Sequence, residues 1–260
     1  MVLLAVKLFL APLCVVGVSL AGRRWGMGVA GVLGGLPVVA GPILLALTLI
    51  HGRSFGAESA AGTLLALAAL TAFVVTYGRV AQGAGPLVSV LCGWTAFLVG
   101  VALLSLVAPP AGVSLLFVGA CFAAGIVLLP TPRSPLPPAA APPAWDLPAR
   151  ALGALILVLL ITALSGALGA KLSGLLAPFP IITSVLAVFT HAHSGTAQLE
   201  LLLRNFLFGF YGFATFCFVL AIALPSLATA AAFGLAVVVA LLTQVTSSLL
   251  RFRLVPAISG

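Results

Sequence analysis

The sequence predicts an all-α polytopic membrane protein of about nine transmembrane helices, arranged as two inverted four-helix repeats plus one extra helix. Three observations predict it. The 260 residues are 63% hydrophobic and 5% charged, with a mean hydropathy of +1.37, whereas a soluble domain is about one quarter charged. Apolar runs of about 20 residues, the length that crosses a bilayer as helix, succeed one another along the chain. A set of prolines and rare polar residues in the first half recurs in the second.

Breakers between the apolar runs place the spans at 1–21, 27–50, 57–78, 86–107, 112–129, 150–170, 172–190, 198–222 and 227–250. The first segment has a weak positive n-region and a later counterpart, so it reads as a retained span and not a signal peptide. The separators "GRRWG", "HGRSFG", "GRVAQGAGP", "APPAG", "GAK", "HAHSG" and "LPS" carry turn chemistry. Residues 130–149 hold eight of the eighteen prolines. Proline fixes φ and lacks the amide hydrogen, so this stretch reads as an extended cytoplasmic linker. It divides the chain into a first membrane repeat with an extra fifth span (1–129) and a second membrane repeat (150–260).

The net charge is +8, but the basic residues are scattered at span ends, as membrane topology requires. No cluster suits nucleic acid. Nine spans with the N-terminus outside put Arg23, Arg24, Arg79, Arg133, Arg150, Arg204, Arg251 and Arg253 inside, and only Lys7, Arg53 and Lys171 outside. The expected orientation therefore has the N-terminus outside and the C-terminus cytoplasmic. Cys14, Cys92, Cys121 and Cys217 lie in apolar runs without metal-ligand spacing and read as buried thiols.

Residues 7–78 align with 150–220 at an offset of 143: Lys7 meets Arg150, Gly31 meets Gly174, and Pro37 meets Pro180. Beyond the prolines an offset of 142 brings His51 onto His193 and Glu58 onto Glu200, in "HGRSFGAE" and "HSGTAQLE". Five spans precede the second copy, so it starts on the opposite face. The repeats are therefore inverted, as in many secondary transporters.

From Leu152, "LGALILVLLITALSGALGAKLSGLLAPFPIITSVLAVF" resembles the GlpM family of small bacterial inner-membrane proteins. The element opening that family's second span is carried by Gly174, Leu175, Phe179 and Pro180, with Ala177 at the inner proline's place and Pro178 one residue later. The first half keeps Gly31 and Pro37 and has Leu36 in place of the Phe. The resemblance implies a link to alginate production and no defined biochemical activity. The paired four-span units are also similar in architecture to the drug/metabolite transporter superfamily.

Pro37 with Gly41 and Pro42, and Pro180 with Thr183 and Ser184, fall near the middle of their spans. A proline there removes a helix hydrogen bond, and the freed carbonyl must find a partner or line a wet cavity. Broken helices at matching repeat positions point to a transporter site. The competing reading is packing: small residues permit close helix contact, and Gly31/Gly35 and Gly22/Gly26 are both GxxxG pairs.

Glu58 and Glu200 read as first-turn capping carboxylates, with Ser54 and Thr196 as N-caps, or as coupling or gating groups. His51 and His193 sit at preceding helix ends. His191-x-His193 with Glu200 is a weak metal pattern, and no metal or other cofactor is expected. The seven aromatics from Phe206 to Phe218 read as lipid and packing contacts, with an aromatic cavity wall near Asn205 as the alternative. Glu200 and Arg204 have ion-pair spacing. With three acidic residues in all and no catalytic motif, an enzyme is not expected.

The sequence thus reads as a small secondary transporter of a polar or amphipathic solute, with a cavity beside Pro37, Gly41, Pro42, Pro180, Thr183, Ser184 and Asn205. His51, Glu58, His193 and Glu200 are its coupling or gating candidates. The alternative is a non-transporting subunit or scaffold assisting envelope polysaccharide synthesis, as the family resemblance implies. The expected partners are the lipid bilayer, a small solute, and envelope-biosynthesis proteins or a second copy of the chain.

Overall fold

The computed structural model describes residues 2–38, 40–131, 145–164 and 175–254; for 2–11, 157–164 and 248–254 the description is of the backbone only. Lys171, Gly174 and linker residues 132–144 lie outside it. Among the described residues all regular structure is helical: α1 Val2–Trp25, α2 Met27–Gly34, α3 Ala40–His51, α4 Arg53–Val80, α5 Pro86–Ser105, α6 Ala111–Leu128, α7 Asp146–Leu164, α8 Ile181–Ala223 and α9 Thr229–Leu254. Five of them, α4, α5, α6, α8 and α9, are long and apolar enough to cross a bilayer.

Prolines stand where a helix start has no need of an amide hydrogen. Pro86 opens α5, Pro110 caps α6 and Pro180 caps α8. The expected five- and six-residue loops at "GRRWG", "HGRSFG" and "HAHSG" contract to single-glycine corners. Gly26 (φ 91°) joins α1 to α2, Gly52 (φ 91°) joins α3 to α4, and Gly195 (φ 77°) divides α8. A positive φ costs glycine little and an L side chain a good deal. The corners are tight: a Cβ on Gly22 would come within 3.0 Å of the Ala30 Cβ, and one on Gly56 would overlap Thr48. Ser54 and Thr196 are consequently inside helices, not N-caps, and Glu58 lies beyond the first turn.

The span expected at 27–50 is two short helices, α2 and α3, separated around Pro37. The break is built from Leu36 N–H to Leu33 O (3.2 Å), Val38 N–H to Leu36 O (2.8 Å) and Gly41 N–H to Pro37 O (2.8 Å). The same three bonds recur before α8: Phe179 to Leu176 (3.0 Å), Ile181 to Phe179 (2.7 Å) and Ser184 to Pro180 (2.9 Å). Further on, Ala81 N–H to Tyr77 O matches Leu224 to Leu220, and Ser89 to Gly85 matches Ala232 to Ala228. Every pair is 143 positions apart, as are the corner glycines Gly52 and Gly195. No residue is lost after the prolines, which corrects the offset of 142. Aligning the rare His and Glu residues pulled the sequence register by one, whereas the backbone sets His51 level with Ser194 and Glu58 level with Leu201.

Helices α4 and α8 form the interior. Gln82 meets Glu200 and Gly78 meets Leu203, so the two run antiparallel. Beside them, α2 runs parallel to the second part of α8: Gly31 faces Leu202 and Asn205, and Gly35 faces Phe206 and Gly209. Fully buried Phe73, Tyr77, Phe97, Phe122, Phe206 and Phe210 fill the junction with α5 and α6. The outer helices α5, α6 and α9 expose Leu103, Leu116, Val127 and Leu242, among others, a surface suited to lipid.

Helix ends gather at two poles. Arg23, Gln82, Leu129, Asp146, His193 and Glu200 share one, through the Arg23–Asp146, His193–Asp146, Gln82–Glu200 and Arg204–Leu129 contacts and the Tyr77–His191 ring pair. Arg53 donates to the Leu227 carbonyl (3.0 Å) at the other.

The GxxxG pair Gly31/Gly35 thus makes a helix contact. A Cβ on Gly209 would sit 2.6 Å from the Val32 carbonyl oxygen. Gly209→Leu is expected to destabilise the bundle by about 3 kcal/mol, the upper end of the overpacking range, measured as a fall in Tm in detergent. Gly119→Ala, where a Cβ meets nothing within 4 Å, is expected to leave Tm unchanged or slightly raised.

Candidate functional site

The residues singled out around the prolines lie inside the bundle. Pro180, Thr183 and Ser184 are buried, and Pro37 and Pro42 are half-buried. Gly41 is buried in the first turn of α3, facing Phe216, and Pro42 follows it there. The Trp94 indole N–H donates to Ser184 Oγ (2.9 Å), and Phe179 lies edge-on to Phe97 (ring centroids 5.4 Å apart). The second break is therefore lined by Trp94, Phe97 and Phe179 of α5 and its own turn. The first is closed by α8, with Leu36 against Gly212. Gly34, at the edge of the first break, faces Leu186, so the two breaks approach each other. Asn205 is buried behind Gly31, its side-chain amide donating to the Leu201 carbonyl (2.6 Å).

The acidic residues differ from one another. Glu58 is exposed near the Arg53 pole. Glu200 is 5% exposed at the opposite pole and accepts from Gln82 Nε2 (2.9 Å). No ion pair joins Glu200 to Arg204 among the described residues. Arg204 turns instead to the carbonyls of Ile126, Leu129 and Pro130 at 3.0–3.2 Å, and its Nε finds no acceptor. That arginine closes the C-terminal end of α6, where free carbonyls attract a cation. His51, exposed at the end of α3, stacks on Phe55.

The strongest polar cluster was missed in the sequence, where Asp146 fell inside the proline-rich linker. Helix α7 begins at Asp146, and the carboxylate is fully buried. Its Oδ2 accepts from Arg23 Nη2 at the end of α1 (2.8 Å) and from Arg150 Nε one turn on (2.9 Å). Its Oδ1 accepts no hydrogen bond and lies 3.6 Å from His193 Nδ1, which is 3.1 Å from the Phe189 carbonyl. Both neighbours of that nitrogen are acceptors, so the proton sits on Nδ1. Trp145 packs against His193, and Arg150 stacks over Phe189 (5.1 Å). The only advance signal was the rarity of acidic residues in the chain.

The other histidine of the H-x-H pair, His191, lies edge-on to Tyr77 (6.0 Å). Among the described residues its Nδ1 and the buried Tyr77 hydroxyl have no hydrogen-bond partner. Among the described residues no three His, Cys, Asp or Glu side chains gather in a metal-binding arrangement. Comparison with protein-family models, curated proteins and solved structures finds no match.

Removing the Asp146 charge leaves Arg150 buried and unpaired, a loss of about 3–5 kcal/mol for a buried pair. Asp146→Asn is therefore expected to lower Tm sharply, whereas Glu58→Gln, at an exposed position, leaves it within error. Thermal unfolding of both variants in the same detergent checks this.

Proposed function

We propose that the chain is an inner-membrane secondary transporter of nine spans, built from two inverted four-span repeats with α6 as the reversing helix. The solute, polar or amphipathic, would pass beside the two proline breaks. The observation that carries this reading is the recurrence of one non-helical turn, at Leu36–Gly41 and Phe179–Ser184, with the same three backbone hydrogen bonds. A break repeated at matching positions is the best structural pointer to a transport site. The antiparallel pairing of α4 with α8, which hold matching places in the two halves, supports an inverted relation. So does the sorting of helix ends between two poles. The arginine-rich pole is assigned to the cytoplasm by the positive-inside rule. Glu200 and His193 would gate that pole, and His51 and Glu58 the outer one.

Accessibility tests the proposal directly. In a background where Cys14, Cys92, Cys121 and Cys217 are replaced by Ala, Thr183→Cys and Ser184→Cys are expected to react with a membrane-impermeant maleimide from at least one side. Protection of both from both sides overturns transport. The non-transporting subunit of envelope polysaccharide synthesis, which the GlpM resemblance of the second half suggests, then takes its place.

A further inference from the structure

Two of the chain's three tryptophans belong to the Asp146 cluster's surroundings, and neither is core. Trp25, last residue of α1, is 68% exposed, and Trp145, just before α7, is 58% exposed. The Arg23–Asp146 bond at 2.8 Å fixes the ends of these two helices together. Each tryptophan adjoins a member of that bond or lies two residues from it, so both belong to one rim. Exposed indoles at helix ends mark the level where hydrocarbon gives way to headgroups.

The charge at this rim is unbalanced. Arg23 and Arg150 share the single carboxylate of Asp146 and Arg24 follows Arg23 in the chain; the carboxylate is fully buried while Arg150 is 7% exposed. The outward charge is therefore that of Arg23, whose side chain keeps 31% of its exposure, and of exposed Arg24. Only one oxygen of Asp146 is engaged by Arg23, through one terminal nitrogen. The guanidinium has further donors for an outside acceptor, and its fork matches a phosphate. At the opposite pole, among the described residues, Arg53 is committed to the Leu227 carbonyl.

We infer that Arg23 and Arg24, framed by Trp25 and Trp145, form a docking site for the phosphodiester headgroup of an anionic phospholipid, where the end of α1 meets the start of α7. Basic pockets between helices at the membrane surface recognise such headgroups. Asp146 lies behind the arginines, where it orients Arg23 without facing the ligand. The indoles rest on the acyl–headgroup boundary on either side. The inference rests on the chain lying in a bilayer and is independent of transport.

The test uses the full chain carrying Trp94→Phe, so that emission reports Trp25 and Trp145 alone. It is reconstituted with doxyl-labelled phosphatidylglycerol or doxyl-labelled phosphatidylcholine at equal mole fraction. Quenching by the anionic lipid is expected to be several-fold stronger. Arg24→Gln, an exposed change, is expected to lower the preference without abolishing it, and Arg23→Gln with Arg24→Gln to bring the two lipids to parity. Arg23→Gln leaves Asp146 paired with Arg150, so no orphan charge is created. Arg53→Gln is expected to change nothing. Equal quenching in the parent protein overturns the inference, as does a preference that survives the double substitution. Loss of the preference on adding millimolar inorganic phosphate also overturns it, because the site then takes a soluble anion.

Discussion

The contact between α2 and α8 is the constraint on which the interior depends. Gly31 and Gly35 on one helix and Gly209 on the other bring two backbones together at distances that no Cβ would permit. In lipid, apolar side chains gain little by leaving the solvent, so association rests on such close packing and on internal polar contacts. The contact pins a helix of only eight residues, too short to cross a membrane by itself, against one of the two most buried helices of the bundle. With α2 held, the break at Pro37 is fixed in place and α3 is launched at its own angle.

The interior obeys a second rule: backbone groups freed by a break need partners within the protein. Both breaks meet it through the same short-range bonds, and the single-glycine corners meet it by letting one helix end and the next begin without a loop. Buried Thr48, Thr63 and Thr71 donate to carbonyls four residues back, so their hydroxyls are satisfied locally. Other polar side chains reach across helices, among them Trp94 to Ser184, Gln82 to Glu200, Arg204 to the end of α6, Arg53 to Leu227, and the Asp146 cluster.

That last cluster gives the molecule its polarity. A fully buried carboxylate is tolerable because two guanidiniums share one of its oxygens. The same bonds tie the end of α1, the start of α7 and the Gly195 corner into one unit. The arrangement has no sequence counterpart in the other half, since the position 143 residues before Asp146 is Leu3. A bundle whose backbone turns recur thus carries its strongest electrostatics at one pole only, where arginines outnumber carboxylates and tryptophans line the rim.

Much of this was legible in the residues alone. Apolar composition dictated membrane-type helices, because so few charges cannot solvate a surface in water. Pro37 and Pro180 dictated the breaks, because proline cannot donate the helix bond, and Gly31 with Gly35 marked a helix contact. What only the tertiary structure decided was register and partnership. The offset of 143 rests on Gly52 and Gly195, whose positive φ is invisible in the sequence, while the eye was drawn to His and Glu. Asp146 lay unnoticed in a proline-rich stretch because its partners Arg23 and His193 are far away along the chain. Periodicity and breakers are local properties that a linear string records, whereas a buried ion pair is a meeting of distant residues that only folding brings about.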